Sequence, residues 1–162
     1  MINQSLLNPQ SIVVVGGSDN IKKPGGKVLK NIIDGGFAGR LLVVNQKETE
    51  VQGLQCVATV EQIDSVELAI ISIPAAQCPG VVRTLANTKG TRAFIILSAG
   101  FAEAGEAGKR LEQEIVATVN TVNGCLIGPN CIGFLNANYH GVFTTPIPPH
   151  DPKGCDLVSS SG

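Results

Sequence analysis

The chain has 162 residues, 43% hydrophobic, 15% charged and 4% aromatic, with no tryptophan and a formal net charge of −1. That length suits one domain with a fragment of a second. The balanced charge gives no bulk attraction to nucleic acid or membrane, no apolar run approaches the ~20 residues of a membrane span, and Met1 to Gln10 lacks a signal peptide's basic start and apolar centre.

A cytoplasmic location is therefore expected. The five cysteines, Cys56, Cys78, Cys125, Cys131 and Cys155, are odd in number and form no CxxC pair. Small buried thiols are expected, rather than a disulfide framework or a cysteine-rich zinc site.

Ser11 to Gly17 reads as a buried strand entering a glycine turn. Pro24-Gly25-Gly26 precedes a helix over Lys27 to Asp34, with Val28, Leu29, Ile32 and Ile33 on one face and Gly35-Gly36 as its stop. Further strands are predicted at Arg40 to Val44, Val66 to Ile73, Ala93 to Leu97 and Cys125 to Ile127. Helices are predicted at Ala75 to Thr88 and Glu103 to Asn120, the second with Leu111, Ile115 and Val119 spaced by four. Short apolar strands alternating with helices make a parallel sheet covered on both faces. The expected fold is α/β, a doubly wound, mostly parallel, Rossmann-like domain over residues 1–136. A proline-rich connector follows at 137–154, because Pro146, Pro148, Pro149 and Pro152 remove donors and fix φ. Residues 155–162 then read as the first strand of a truncated second domain.

In such sheets ligands bind beyond the carboxyl ends of the strands, so the strand-end loops hold the candidate residues. The loop Gly16 to Gly26 is glycine-rich and leads into a helix, which suits phosphate, although it is neither GxGxxG nor a P-loop. The second strand ends in Asn45-Gln46-Lys47, where an NAD site would place a carboxylate on the ribose. Lys47 instead suits a ribose carrying an extra phosphate, as in NADP or coenzyme A; a solvated surface lysine is the competing reading. The third loop, Ser72-Ile73-Pro74-Ala75-Ala76, offers a flat groove. In the fourth, Ser98-Ala99-Gly100 allows close approach, and capping alone explains Glu103. The fifth, Gly128-Pro129-Asn130-Cys131-Ile132-Gly133, displays an amide and a thiol, with no base or cation nearby in sequence to activate Cys131. His140 and His150 have no metal-ligand or catalytic spacing and read as surface histidines.

Four segments, VVNQKETEVQGL, LAIISIPAAQCPGVV, ILSAGFAEAGEAGKRLE and GPNCIGFLN, occur here in one order. Together they resemble the N-terminal coenzyme A-binding domain of the NDP-forming acyl-CoA synthetases. That group includes ADP-forming acetate–CoA ligases and the α subunit of succinyl-CoA synthetase. The resemblance implies that coenzyme A lies across the carboxyl edge. Gly17, Ser18, Lys23, Pro24, Gly25 and Gly26 would face its phosphates, and Asn45 and Lys47 the adenosine with its 3′-phosphate. Ile73, Pro74, Ser98, Ala99 and Gly100 would flank nucleotide and pantetheine, with Asn130 and Cys131 toward the thiol. It also implies a reaction of acid, coenzyme A and nucleoside triphosphate to acyl-CoA, through an acyl phosphate and a phosphohistidine. That histidine belongs to a following domain, and neither His140 nor His150 matches its motif. The implied partners are the remaining synthetase domains or a partner subunit, and the chain alone is expected to bind coenzyme A without ligating it. Gln46 replaces a proline that many family members have before the lysine. An NADP-binding oxidoreductase or redox-sensing regulator, and a free-standing coenzyme A-binding module, are the alternative readings.

Overall fold

A computed structural model describes residues 2–147. The expected strand at 155–162, His150, Cys155 and the end of the connector lie outside the described residues.

Seven strands form one sheet in the order β3-β4-β2-β1-β5-β6-β7. They are β1 (Ser11–Val15), β2 (Arg40–Val44), β3 (Glu50–Val51), β4 (Leu54–Val57), β5 (Leu68–Ile71), β6 (Ala93–Ile96) and β7 (Cys125–Ile127). All neighbours run parallel except the β3–β4 hairpin at one edge. β1, β5 and β6 are wholly buried, because both faces are covered. Residues alternate between the faces as the strand period of two requires. Val13, Val15, Ala69, Ile71, Phe94 and Ile96 join one core, which packs on α3 (Cys78–Thr88) and α4 (Glu106–Thr121). Ile12, Val14, Leu68, Ile70 and Ile95 join the other, which packs on α2 (Pro24–Asp34).

That second face carries an element the sequence reading did not anticipate. β8 (Gly133–Leu135) and β9 (His140–Val142) form a two-stranded antiparallel hairpin. It packs against α2 and β6, and Asn31 of α2, nearly fully buried, donates to the Val142 and Thr144 carbonyls at 2.7 and 3.1 Å. His140 is therefore a half-buried strand residue and not part of an irregular surface segment. A Cβ on Gly35 would come within 2.6 Å of its Nδ1. A four-residue helix, α1 (Gln4–Leu7), buries Leu6, and Tyr139 closes over it by donating its hydroxyl to the Leu6 carbonyl at 2.8 Å.

Three helix starts differ from expectation; the first turn of the helix expected from Ala75 is 3₁₀ over Ala75–Gln77, and α3 begins at Cys78. α2 begins at Pro24 rather than Lys27, since proline at the first helical position has φ already set and no N–H to satisfy. The continuous helix expected from Glu103 is broken: a 3₁₀ turn spans Ala102–Ala104, Gly105 takes φ +103°, and α4 starts at Glu106.

Candidate functional site

The chain leaves β1 through α2 to one side of the sheet, while β5 pairs on its other side. This reversal makes the crevice beyond the carboxyl ends of β1 and β5 the favoured ligand position of a doubly wound sheet. The first and third loops press together there. Gly16, at φ +86°, would put a Cβ 2.3 Å from the Ser72 carbonyl oxygen. One on Gly25 would lie 2.1 Å from the Gly16 oxygen. Gly17 and Gly26 are buried too, with hypothetical Cβ positions 2.7 Å from Val43 Cγ1 and 2.3 Å from the Asn20 oxygen. Much of the glycine content thus lets the loop pack on the protein itself.

Hydrogen bonds tie the second loop to the first, and the fourth loop to the third and the fifth, and the close Gly16–Ser72 approach joins the two sets into one platform. Asn45 donates from Nδ2 to the Gly17 carbonyl (2.8 Å), and its Oδ1 accepts from the Lys47 and Glu48 amides (2.8 and 3.1 Å). Asn45 thereby links the second loop to the first and orients the backbone at Lys47. Ser98 donates its hydroxyl to the Ile73 carbonyl at 2.5 Å, and the Asn130 amide donates to the Ser98 carbonyl at 3.0 Å. Gln52, in the β3–β4 turn, donates from Nε2 to the Ser18 and Gly26 carbonyls, both at 2.8 Å.

On this platform Lys23, Pro24, Lys47, Pro74, Ala99 and Asn130 are exposed, while Ser18, Ile73, Ser98, Gly100 and Cys131 are half-buried. α2 starts with no side-chain cap, so nothing from a side chain screens the positive end of its dipole. A cleft of about 310 Å³ beside that start is lined by Ile21, Lys22, Lys23, Pro24, Lys27 and Phe143. Among the described residues, the cationic side chains with no hydrogen bond or ion pair are Lys22, Lys23, Lys27 and Lys47. Lys30, Arg40, Arg83, Lys89, Arg92, Lys109 and Arg110 all have partners. The lysine-rich spacing of the first loop was readable as sequence. Phe143, which reaches the cleft from beyond β9, and Gln52 were not.

Two reactive-looking groups have structural positions. Cys131 donates its thiol to the Ile96 carbonyl at 3.4 Å, and burial, the leading cause, pushes its pKa up, which disfavours the nucleophilic thiolate. Glu103 accepts from the Gly100 and Phe101 amides at 2.6 and 3.2 Å, and the Gly100 bond foremost lowers its pKa. It holds the fourth loop's turn.

A parallel doubly wound sheet with an uncapped helix and free lysines at its switch point defines a nucleotide-binding domain of the Rossmann class. The chain belongs to the CoA binding domain family, whose profile matches residues 10–137. It is similar to the ADP-forming acetate–CoA ligase II subunit alpha of Pyrococcus furiosus, at 40% identity over 143 residues, 85% of this chain and 30% of that protein. It is also similar to Trans-feruloyl-CoA synthase FCS1 of an unknown prokaryotic organism, at 32% identity over 97% of this chain and 23% of that one. A solved structure of the Ca. Korarchaeum cryptofilum dinucleotide forming acetyl-coenzyme A synthetase 1, in complex with phosphate and ADP, superposes with a TM-score of 0.80. The identity is 31%, across 88% of this chain and 31% of that one. The chain thus spans about a quarter to a third of the length of these relatives.

Proposed function

We propose that this domain binds coenzyme A or its acyl thioester along the carboxyl edge, as the coenzyme A-binding part of an NDP-forming acyl-CoA synthetase. The observation that carries the reading is the set of unpartnered lysines on that one edge. They form two groups: Lys22, Lys23 and Lys27 around the start of α2, and Lys47 after β2. Coenzyme A carries two anionic centres, a diphosphate and a 3′-phosphate, on an otherwise neutral frame. Ser18, Lys22, Lys23, Lys27 and the first turn of α2 at Gly25 and Gly26 meet the diphosphate, and Lys47 meets the 3′-phosphate. Pro74, Ala99 and Gly100 give the small, open surface that a pantetheine arm needs, leading toward Asn130 and Cys131. Asn45 acts indirectly, through the backbone of Lys47.

The parent reaction joins an acid to coenzyme A with cleavage of a nucleoside triphosphate. In this reading the domains or partner subunit carrying the phosphohistidine and the nucleotide-grasp site perform the ligation, so residues 1–162 alone bind without ligating. The relatives act on acids as different as acetate and trans-ferulate, and the described residues contain nothing that selects the acid. The proposed location is the cytoplasm; among the described residues no helix is long and apolar enough to cross a membrane.

Calorimetry with coenzyme A, dephospho-coenzyme A and NADP tests the assignment. Coenzyme A should bind at least about tenfold more tightly than its dephospho form, about 1.5 kcal/mol being the low end for a charge-assisted contact. Equal affinities would remove the role of Lys47. Tighter binding of NADP would move the protein to the oxidoreductase or regulator reading.

A further inference from the structure

We propose that Gln52 is a positioning residue for the anion-binding loop, closing the loop at both ends so that its lysines are presented together. The function of that loop rests on the coenzyme A reading above. The β3–β4 hairpin turns through Gln52 at φ +50° and Gly53 at φ +80°. Two left-handed residues in a two-residue hairpin make a turn that favours Asn-Gly, and glutamine at the first position runs against that preference.

The side chain supplies the reason. Its Nε2 bridges the Ser18 and Gly26 carbonyls, which stand at the two ends of the segment bearing Lys22 and Lys23. The Gln52 backbone amide also donates to Asp19 Oδ1 at 2.7 Å, which engages the one carboxylate of that segment with the hairpin. Asparagine would suit the turn better but is shorter by one C–C bond, about 1.5 Å, and would leave both carbonyls unbridged. The opposite end of the amide is costly: Oε1 is buried with no hydrogen-bond partner. A purely apolar turn residue would avoid that cost and would also lose the bridge.

Gln52→Asn separates positioning from folding, because it is favourable for the turn and unfavourable for the bridge. Thermal melting of the full chain should give a midpoint equal to or above wild type. Calorimetry should show coenzyme A and dephospho-coenzyme A both weakened by about tenfold, for two lost hydrogen bonds, with their ratio unchanged because Lys47 is untouched. Hydrogen exchange in the ligand-free chain reads the restraint directly. The Lys22 and Lys23 amides, which bond Asn20 at 3.0 Å each, should exchange about tenfold faster in the variant. Unchanged exchange or wild-type affinity would overturn the inference. A wild-type chain that binds no coenzyme A would overturn the functional reading, while the exchange data would still judge the role of Gln52.

Discussion

The two edges of the sheet both carry cations and differ in whether those cations are engaged. At the amino edge cations are turned back into the protein. Arg92 donates to the Ala86 and Thr91 carbonyls at 3.0 and 2.9 Å, and Arg40 donates to the Ser65 carbonyl. Asn3 Nδ2 caps the Arg92 carbonyl at 2.8 Å, and the Gln10 amide donates to Glu67. At the carboxyl edge the loops are tied by their backbones and amide side chains, yet Lys22, Lys23, Lys27 and Lys47 keep their charges unengaged. Self-satisfied polar groups make a lid for a core. A rigid backbone with spare charge suits the proposed receptor, because little conformational freedom would be left to lose when an anion arrives.

The largest test of that contrast is steric. Gly25→Ala would set a methyl 2.1 Å from the Gly16 oxygen, a backbone atom that cannot rotate away. A loss of about 3 kcal/mol in urea unfolding is expected, with coenzyme A binding abolished. Wild-type stability would mean that the two ends of the first loop need not touch.

Next is the thiol beneath the third loop. Cys78 is fully buried and donates to the Ile73 and Pro74 carbonyls at 3.7 and 3.6 Å. Burial raises its pKa from 9.0 to about 11. With the folded value above the unfolded one, its contribution is complete below pH 9 and is lost as the pH rises through 11. The share is about 2–3 kcal/mol. Burial also raises Cys131 and Tyr139, so the diagnostic quantity is a difference. The stability of Cys78→Ala should fall less steeply than wild type between pH 9 and 11.

A matched pair of lysines gives the finest comparison. Lys47→Ala should weaken coenzyme A about tenfold, about 1.4 kcal/mol, and leave dephospho-coenzyme A unchanged. Lys109→Ala removes an exposed ion pair with Glu106 at 3.7 Å. It should change stability by less than about 0.5 kcal/mol and leave coenzyme A binding unaltered. Equal effects from the two would erase the distinction between spare and engaged charge.

Much of the fold was legible because its strands are short apolar runs between glycine and proline punctuation. Ser11–Val15, Arg40–Val44 and Cys125–Ile127 coincide with their predicted cores. The elements that escaped notice have two to four residues: α1, the β3–β4 hairpin and the β8–β9 hairpin. A two-residue strand has no period to detect, and Gln52-Gly53 lacks the asparagine that marks such a turn. The candidate site was legible as five strand-end loops. What each loop residue does was less so: Asn45 is turned inward, Gly17 packs against Val43, and Cys131 points its thiol at the Ile96 carbonyl.

The chain's own order of residues determined the alternation of strand and helix, and the amides and Lys47 that stand immediately after the end of β2 where a carboxylate would hold a ribose, because apolar period and side-chain chemistry are local properties. Which lysines would be left without partners, and that one glutamine from a two-residue turn would bridge the ends of the segment bearing two of them, was decided only by the tertiary structure. Partnership depends on distances between segments far apart in the chain, here Gln52 with Ser18 and Gly26, and packing alone brings those segments together.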